Sequence, residues 1–254
     1  MKTSVVTDAQ RTSWERDGFF RIEGFADQAT CDAMLDELVS ICRRRAAGDH
    51  IGHAWVMPEP QELGPRANPE ELVAKVFRLH RDYEVFNEFA LRPGVVDLVA
   101  DLITPEIDCF LSQFIFKNPG AWGQPWHQDS YYFPFDPPRP IVGVWLAVTQ
   151  ATLENGCLHV LPGSHAEPVH THVRDRRPGA LQGYMEIVDH DMHDSLPVLM
   201  EPGDLLVFDS HLMHRSTDNV ADVLRAAMVY HYAAAGTIER EAHPINDWVP
   251  ARRL

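Results

Sequence analysis

Residues 202–216 read PGDLLVFDSHLMHRS, and this stretch sets the fold class. A Pro-Gly-Asp turn leads into Leu205-Leu206-Val207-Phe208, an apolar run whose length and boundaries suit a buried strand better than a helix. Comparable runs recur at 110–117, 141–149, 158–161, 197–200 and 225–232. Between them lies turn chemistry: Asn-Pro-Gly at 118–120, Asp-Pro-Pro-Arg-Pro at 136–140, Glu-Asn-Gly at 154–156 and Pro-Gly-Ser at 162–164. Short strands at this spacing predict a mainly β chain with packed helices. The core is expected to be a double-stranded β-helix, jelly-roll or cupin-like, from about 108 to 235.

The first third reads as largely helical. Asp27 is an N-cap candidate for a segment in which Met34, Leu35, Leu38, Ile41 and Cys42 recur at helical spacing, with Arg43, Arg44 and Arg45 in its last turn and Gly48 beyond. Residues 18–25 form a short aromatic strand candidate, and 57–69 read as loop. Pro69 is placed to open a helix through Val73, Val76, Phe77 and Leu79, and a further helix spans 95–103. The stretches 165–179 and 189–195 are too long for tight hairpins, so at least one is expected to be a mobile loop near the functional end.

A chain of 254 residues, 45% of them hydrophobic, can bury one substantial core, and a single domain over 1–254 is expected. With 22 basic against 37 acidic residues the net charge is −15, which repels phosphate polyanions and argues against nucleic-acid partners. No apolar stretch has the length of a signal-peptide core or a membrane span, so a cytoplasmic location and no membrane partner are expected. Cys31, Cys42, Cys109 and Cys157 lack C-x-x-C spacing and read as buried thiols. The pattern defines no oligomeric state.

Chemistry concentrates in Pro125-Trp126-His127-Gln128-Asp129. In extended chain, residues two apart share a face, so His127 and Asp129 can direct an imidazole and a carboxylate to one point. Two histidines and one carboxylate form the facial triad that leaves open positions on Fe(II). The strand at 205–208 delivers His211 or His214 as the third ligand. Arg225, 11 residues beyond His214, carries a planar fork suited to a carboxylate such as the distal end of 2-oxoglutarate.

The segment 127–165, HQDSYYFPFDPPRPIVGVWLAVTQATLENGCLHVLPGSH, together with His-Arg-Ser at 214–216 and Arg225, closely resembles the phytanoyl-CoA dioxygenase family. The likeness extends back through QFIFK at 113–117 and AKVFRLHRDYEVF at 74–86, so it covers about three fifths of the chain. It implies His127, Asp129 and His214 as iron ligands, and Arg225 with Ser216 as the clamp on the far carboxylate of 2-oxoglutarate. Trp145 is implied as a wall of the co-substrate pocket, and Lys75, on the helix expected there, and Gln113 as further contacts. His211, like His159, His165 and His231, reads as a packing or surface histidine.

The resemblance implies an Fe(II)- and 2-oxoglutarate-dependent dioxygenase that consumes dioxygen and releases succinate and carbon dioxide. Related halogenases carry a small residue where Asp129 stands, so hydroxylation of a small molecule is favoured. Tyr131, Tyr132, Phe133 and Phe135 are candidates for an apolar substrate pocket. An acyl-CoA would call for a basic patch, with Arg43–Arg45 or Arg174, Arg176 and Arg177 as candidates, and a free small molecule is preferred. The competing readings are a jelly-roll protein that binds metal without turnover and a cupin-type metalloenzyme that is not an oxygenase.

Overall fold

The computed structural model describes residues 5–180 and 184–254. In chain order, α1 (Asp8–Asp17) leads to β1 (Phe19–Ile22), α2 (Gln28–Ala46), β2 (Trp55–Pro58) and β3 (Val73–Phe77), then α3 (Glu84–Ala90) and α4 (Pro93–Leu102). Next come β4 (Ile107–Lys117), β5 (Phe135–Asp136), β6 (Ile141–Ala147), β7 (Leu158–Val160), β8 (His172–Arg174), β9 (Met185–Ile187) and β10 (Leu196–Val198). The order closes with β11 (Leu205–Asp209), β12 (His214–Ser216), β13 (Arg225–Ala234), β14 (Ile238–Glu239) and β15 (Val249–Arg252).

The large sheet runs β1-β11-β6-β13-β4-β3-β2, and β15 shares the β4 edge with β3. A second sheet, β10-β7-β12, faces it, as the jelly-roll expectation requires. Alternation along the central strands separates two interiors. Val142, Val144 and Leu146 of β6, with Ala226, Met228 and Tyr230 of β13, join the core under the helices. Their neighbours Trp145, Ala147, Ala227 and Val229 turn toward the small sheet, where Leu158, Val160 and Val198 meet them.

Helix α2 supplies much of the outer cover, as its sequence pattern predicts. Asp27 caps it by accepting the Thr30 N–H at 2.9 Å, and Met34, Leu38 and Ile41 are completely buried on one face. Burial of each such side chain is worth about 1.5–3 kcal/mol relative to exposure. The turn before β11 depends on Gly203, whose φ is 89°. A β-carbon there would lie 2.1 Å from the Ala26 carbonyl oxygen. The four cysteines are buried and free. Among the described residues no helix is long and apolar enough to cross a membrane.

Lys75 does not lie on a helix. Pro69 opens only a 3-10 turn, Pro69–Leu72, after which the chain becomes β3 and pairs with β4. All five residues of Val73–Phe77 are buried, so the run lacks the polar alternation that would have marked a strand, and its apolar positions imitated helical spacing. The expected loop 57–69 begins inside β2, and 165–179 folds in part into β8, antiparallel to β9.

Candidate active site

His127 and His214 meet across an isolated antiparallel bridge, each accepting the other's backbone N–H at 2.9 and 3.0 Å. That pairing joins the H-x-D segment to β12 and sets the two rings 4.1 Å apart. Gln128 remains extended, and Asp129 begins a 3-10 turn, Asp129–Tyr132, which returns its carboxylate toward both rings. The Asp129 Oδ1 lies 3.4 Å from His127 Nε2 and 3.8 Å from His214 Nε2, and all three residues are buried. His211 takes no part: it sits in the turn after β11, its Nδ1 against the Glu167 carbonyl. The third member of the group therefore comes from β12, in the other sheet from β11.

The tautomers follow from hydrogen bonds. His127 Nδ1 lies 2.8 Å from the Pro125 carbonyl and His214 Nδ1 2.9 Å from that of Leu212. A carbonyl only accepts, so both Nδ1 atoms carry protons and both Nε2 lone pairs face Asp129. Burial, with His127 alongside, pushes His214 down to about 4, so its ring is neutral at physiological pH, as a ligand must be. Two imidazole nitrogens and one carboxylate oxygen on a common point fit a facially bound divalent iron.

His231 corrects the sequence reading. It is a completely buried residue whose Nε2 donates to Asp129 Oδ2 at 2.7 Å, leaving Oδ1 for the metal position. Burial alone would raise the Asp129 carboxyl; the facing His214 and His231 rings and the hydrogen bond from His231 Nε2 outweigh it and hold the group well below the ordinary carboxylate range. The missed signal was parity, because His231 stands six residues after Arg225 on the same strand and shares its face.

A cavity of about 710 Å³ opens on the metal position, and Lys75, Gln113, Trp145, Ser216 and Arg225 all contribute to its wall. Arg225 is 1% exposed. Its Nε and Nη2 donate to the Gly156 carbonyl at 3.2 and 3.0 Å, while Nη1 has no partner among the described residues. Burial pulls the guanidinium down to about 10, so it stays cationic at neutral pH. The Trp145 Nε1–H is likewise buried without an acceptor. Two orphaned donors on one cavity wall are costly unless a ligand accepts from them.

Lys75 donates to Gln124 Oε1 at 2.8 Å, and its burial lowers it to about 8, the nearby Asp129 carboxylate opposing that fall. Ser216 Oγ accepts from Lys117 Nζ at 2.8 Å and from the Gln124 N–H at 3.0 Å, so its own proton is free for a ligand. Lys117 was not singled out from sequence. It is buried at the end of β4 and ties Ser216 to the Trp122 and Thr217 carbonyls.

Glu59, also unpredicted, lines the same cavity with a buried Oε1 that has no partner among the described residues. Desolvation, opposed by Lys117 and Asn118, pushes its carboxyl up to about 7. Folding then takes up a proton between the ordinary value of 4.5 and about 7, so the stability present below 4.5 falls as pH rises through that window. The gap corresponds to about 3 kcal/mol. Glu59→Gln should remove it, making the variant's melting temperature relative to the parent roughly 5–10 °C higher at pH 8 than at pH 4.5. Equal differences at the two pH values would show that Glu59 does not titrate in this way.

Of the aromatic candidates, Tyr132 and Phe133 reach the cavity, Phe135 packs on Phe110 and Trp248, and Tyr131 stacks on His172 at the surface. Among the candidate phosphate-binding arginines, Arg43 pairs with Glu70, Arg176 with Glu186 and Arg177 with Asp175, while Arg174 lines the cavity.

A double-stranded β-helix with a buried His-Asp-His group opening on a cationic cavity defines the class of mononuclear jelly-roll metal sites. Residues 14–227 match the family model "Phytanoyl-CoA dioxygenase (PhyH)", and the chain belongs to that family. The peroxisomal phytanoyl-CoA dioxygenase of Bos taurus is 29% identical over 240 residues, covering 92% of this chain and 70% of its own length. The non-heme monooxygenase ThoJ, in its apo form, shares the fold with a TM-score of 0.74 at 20% identity, over 96% of this chain and 83% of its own. EctD from S. alaskensis, solved with 2-oxoglutarate and 5-hydroxyectoine, gives a TM-score of 0.70 at 19% identity, over 97% and 82%.

Proposed function

We propose that the chain is an Fe(II)- and 2-oxoglutarate-dependent dioxygenase that hydroxylates an unactivated C–H bond of a small molecule. The observation that carries this reading is Arg225, a buried cation with an unpartnered donor, on the same cavity as the His127, Asp129 and His214 group. A metal site that only bound or hydrolysed would leave that guanidinium unused.

His127, Asp129 and His214 would hold the iron, which, when bound, supplies the redox chemistry by which dioxygen oxidises 2-oxoglutarate to succinate and carbon dioxide and the substrate to an alcohol. Arg225 and Ser216 are positioned to receive the far carboxylate of the co-substrate, with Trp145, Gln113 and Lys75 as the surrounding wall. His231 fixes which Asp129 oxygen faces the metal. Phe133, Leu111 and Val229 supply apolar surface that excludes water. The carboxylate at position 129 occupies a coordination position that halogenation would need, which supports hydroxylation.

A free small molecule is favoured over a CoA thioester, because three of the six candidate arginines are already paired with carboxylates. One domain acting in the cytoplasm belongs to the same proposal.

The test is to supply the purified protein with Fe(II), dioxygen and 2-oxoglutarate without substrate. Slow formation of succinate, abolished by anaerobiosis, is expected. No succinate, together with no anaerobic binding of 2-oxoglutarate to the iron form, would leave a metal-binding protein without turnover.

A further inference from the structure

Outside the cavity, Glu167, His170 and His190 bring one carboxylate and two imidazoles together, with a donor atom of each within 4.8 Å of the others. His170 Nε2 lies 2.8 Å from the Glu167 carboxylate and His190 Nε2 3.2 Å from it. The second nitrogen of each ring is already engaged. His190 Nδ1 is 2.7 Å from the Asp191 carbonyl, which only accepts, so that nitrogen carries the proton. His170 Nδ1 faces Asp189 Oδ1 at 3.4 Å. In a neutral His190 ring the Nε2 lone pair then points at the Glu167 carboxylate, which is repulsive unless a proton or a cation lies between them, while His170 Nε2 donates to the same carboxylate and would exchange that proton for an ion. Acceptors on Nδ1 with Nε2 turned to a shared point are also how metal-ligating histidines are oriented.

We propose that Glu167, His170 and His190 form a second site, separate from the cavity, for a zinc-type divalent cation completed by solvent. Tetrahedral ligands about 2.0–2.1 Å from zinc stand roughly 3.3–3.4 Å apart; the 3.2 Å between His190 and Glu167 is close to that, and the 2.8 Å hydrogen bond between His170 and Glu167 would open by about half an ångström as the ion replaced its proton. The side chains are only 39%, 17% and 22% exposed, open enough for an ion to enter and for small adjustments. Two imidazoles and one carboxylate bind Zn²⁺ more tightly than Fe²⁺, which makes zinc the ion to test, and because the inner group offers the same donors the outer site is read out in a variant that lacks Asp129.

The position of this group gives it a role. The completely buried Gln128, between His127 and Asp129, accepts the His170 N–H at 2.8 Å and donates to the Pro168 carbonyl at 3.1 Å. The Gln128 N–H donates to His172 Nε2 at 3.0 Å. A cation joining 167 and 170 to 190 therefore clamps the segment that braces the H-x-D strand from behind. This does not depend on the reaction carried out in the cavity.

The experiment titrates chelator-treated protein with Zn²⁺, counting bound metal by equilibrium dialysis and following the melting temperature. Asp129→Ala, which cripples the inner site, should retain one equivalent and gain roughly 5–10 °C when zinc is about a hundred times its Kd. Combining it with Glu167→Gln and His190→Ala should eliminate both effects. His190→Ala added alone to Asp129→Ala should raise the Kd at least about tenfold. The metal-free melting temperatures should agree closely, since the outer residues are partly exposed. Absence of a zinc equivalent in Asp129→Ala, or its persistence in the triple variant, would overturn the proposal.

Discussion

Asp129→Ala is expected to reduce succinate formation by more than the roughly 10–100-fold that loss of an outer partner costs a metal site, and to lower bound iron in parallel. The carboxylate is the one anionic donor of the group, and its Oδ1 faces both imidazole Nε2 atoms. Its removal leaves two neutral rings to hold a doubly charged ion in a buried setting, where desolvation of the ion is no longer offset. His231→Leu removes the hydrogen bond to Oδ2 but keeps all three ligands, so its loss should fall within that 10–100-fold range and be recovered in part at high iron concentration. Iron stoichiometry, succinate rate and melting temperature, measured together, separate loss of metal from loss of fold. Full turnover by iron-loaded Asp129→Ala would mean that the metal is held elsewhere.

The different legibility of these residues has a physical basis. His127 and Asp129 could be paired from sequence because an extended i, i+2 spacing needs no tertiary information, and the same rule, applied along β13, would have paired His231 with Arg225. His214 is separable from His211 only through the resemblance, since the break after β11, which leaves His211 in a turn and places His214 on the other sheet, carries no strong sequence mark. Lys75 could be placed in the pocket by family likeness while its local structure was misread, because a strand buried on both faces loses its period of two. Glu59 and Lys117 escaped altogether. A charged residue in a run such as 57–69 or at the end of a strand has the sequence appearance of solvent-facing chain, and only folding shows that both are buried against one cavity.

Arg225→Met should raise the Kd for 2-oxoglutarate between about 30-fold and a few thousandfold while leaving iron binding within a few-fold of the parent. The range follows from the roughly 2–5 kcal/mol lost when one member of a buried, hydrogen-bonded charge pair is truncated. Methionine keeps much of the aliphatic bulk packed near Trp145 and removes the fork that is held at one end by Gly156 and free at Nη1. Gly156 itself tolerates no side chain, because a β-carbon would fall 2.5 Å from the Thr217 carbonyl oxygen and 2.6 Å from the Lys117 Cδ, so the anchor on the protein side is fixed. Without the co-substrate, Arg225 is a buried cation with no carboxylate partner among the described residues, so the variant should be at least as stable as the parent in the absence of 2-oxoglutarate and gain less stability on its addition. Anaerobic titration of the iron form measures the affinity, and thermal melts with and without 2-oxoglutarate measure the crossover. An unchanged Kd would remove Arg225 from the co-substrate site and require another cation of the cavity, Lys75 or Lys117, in its place.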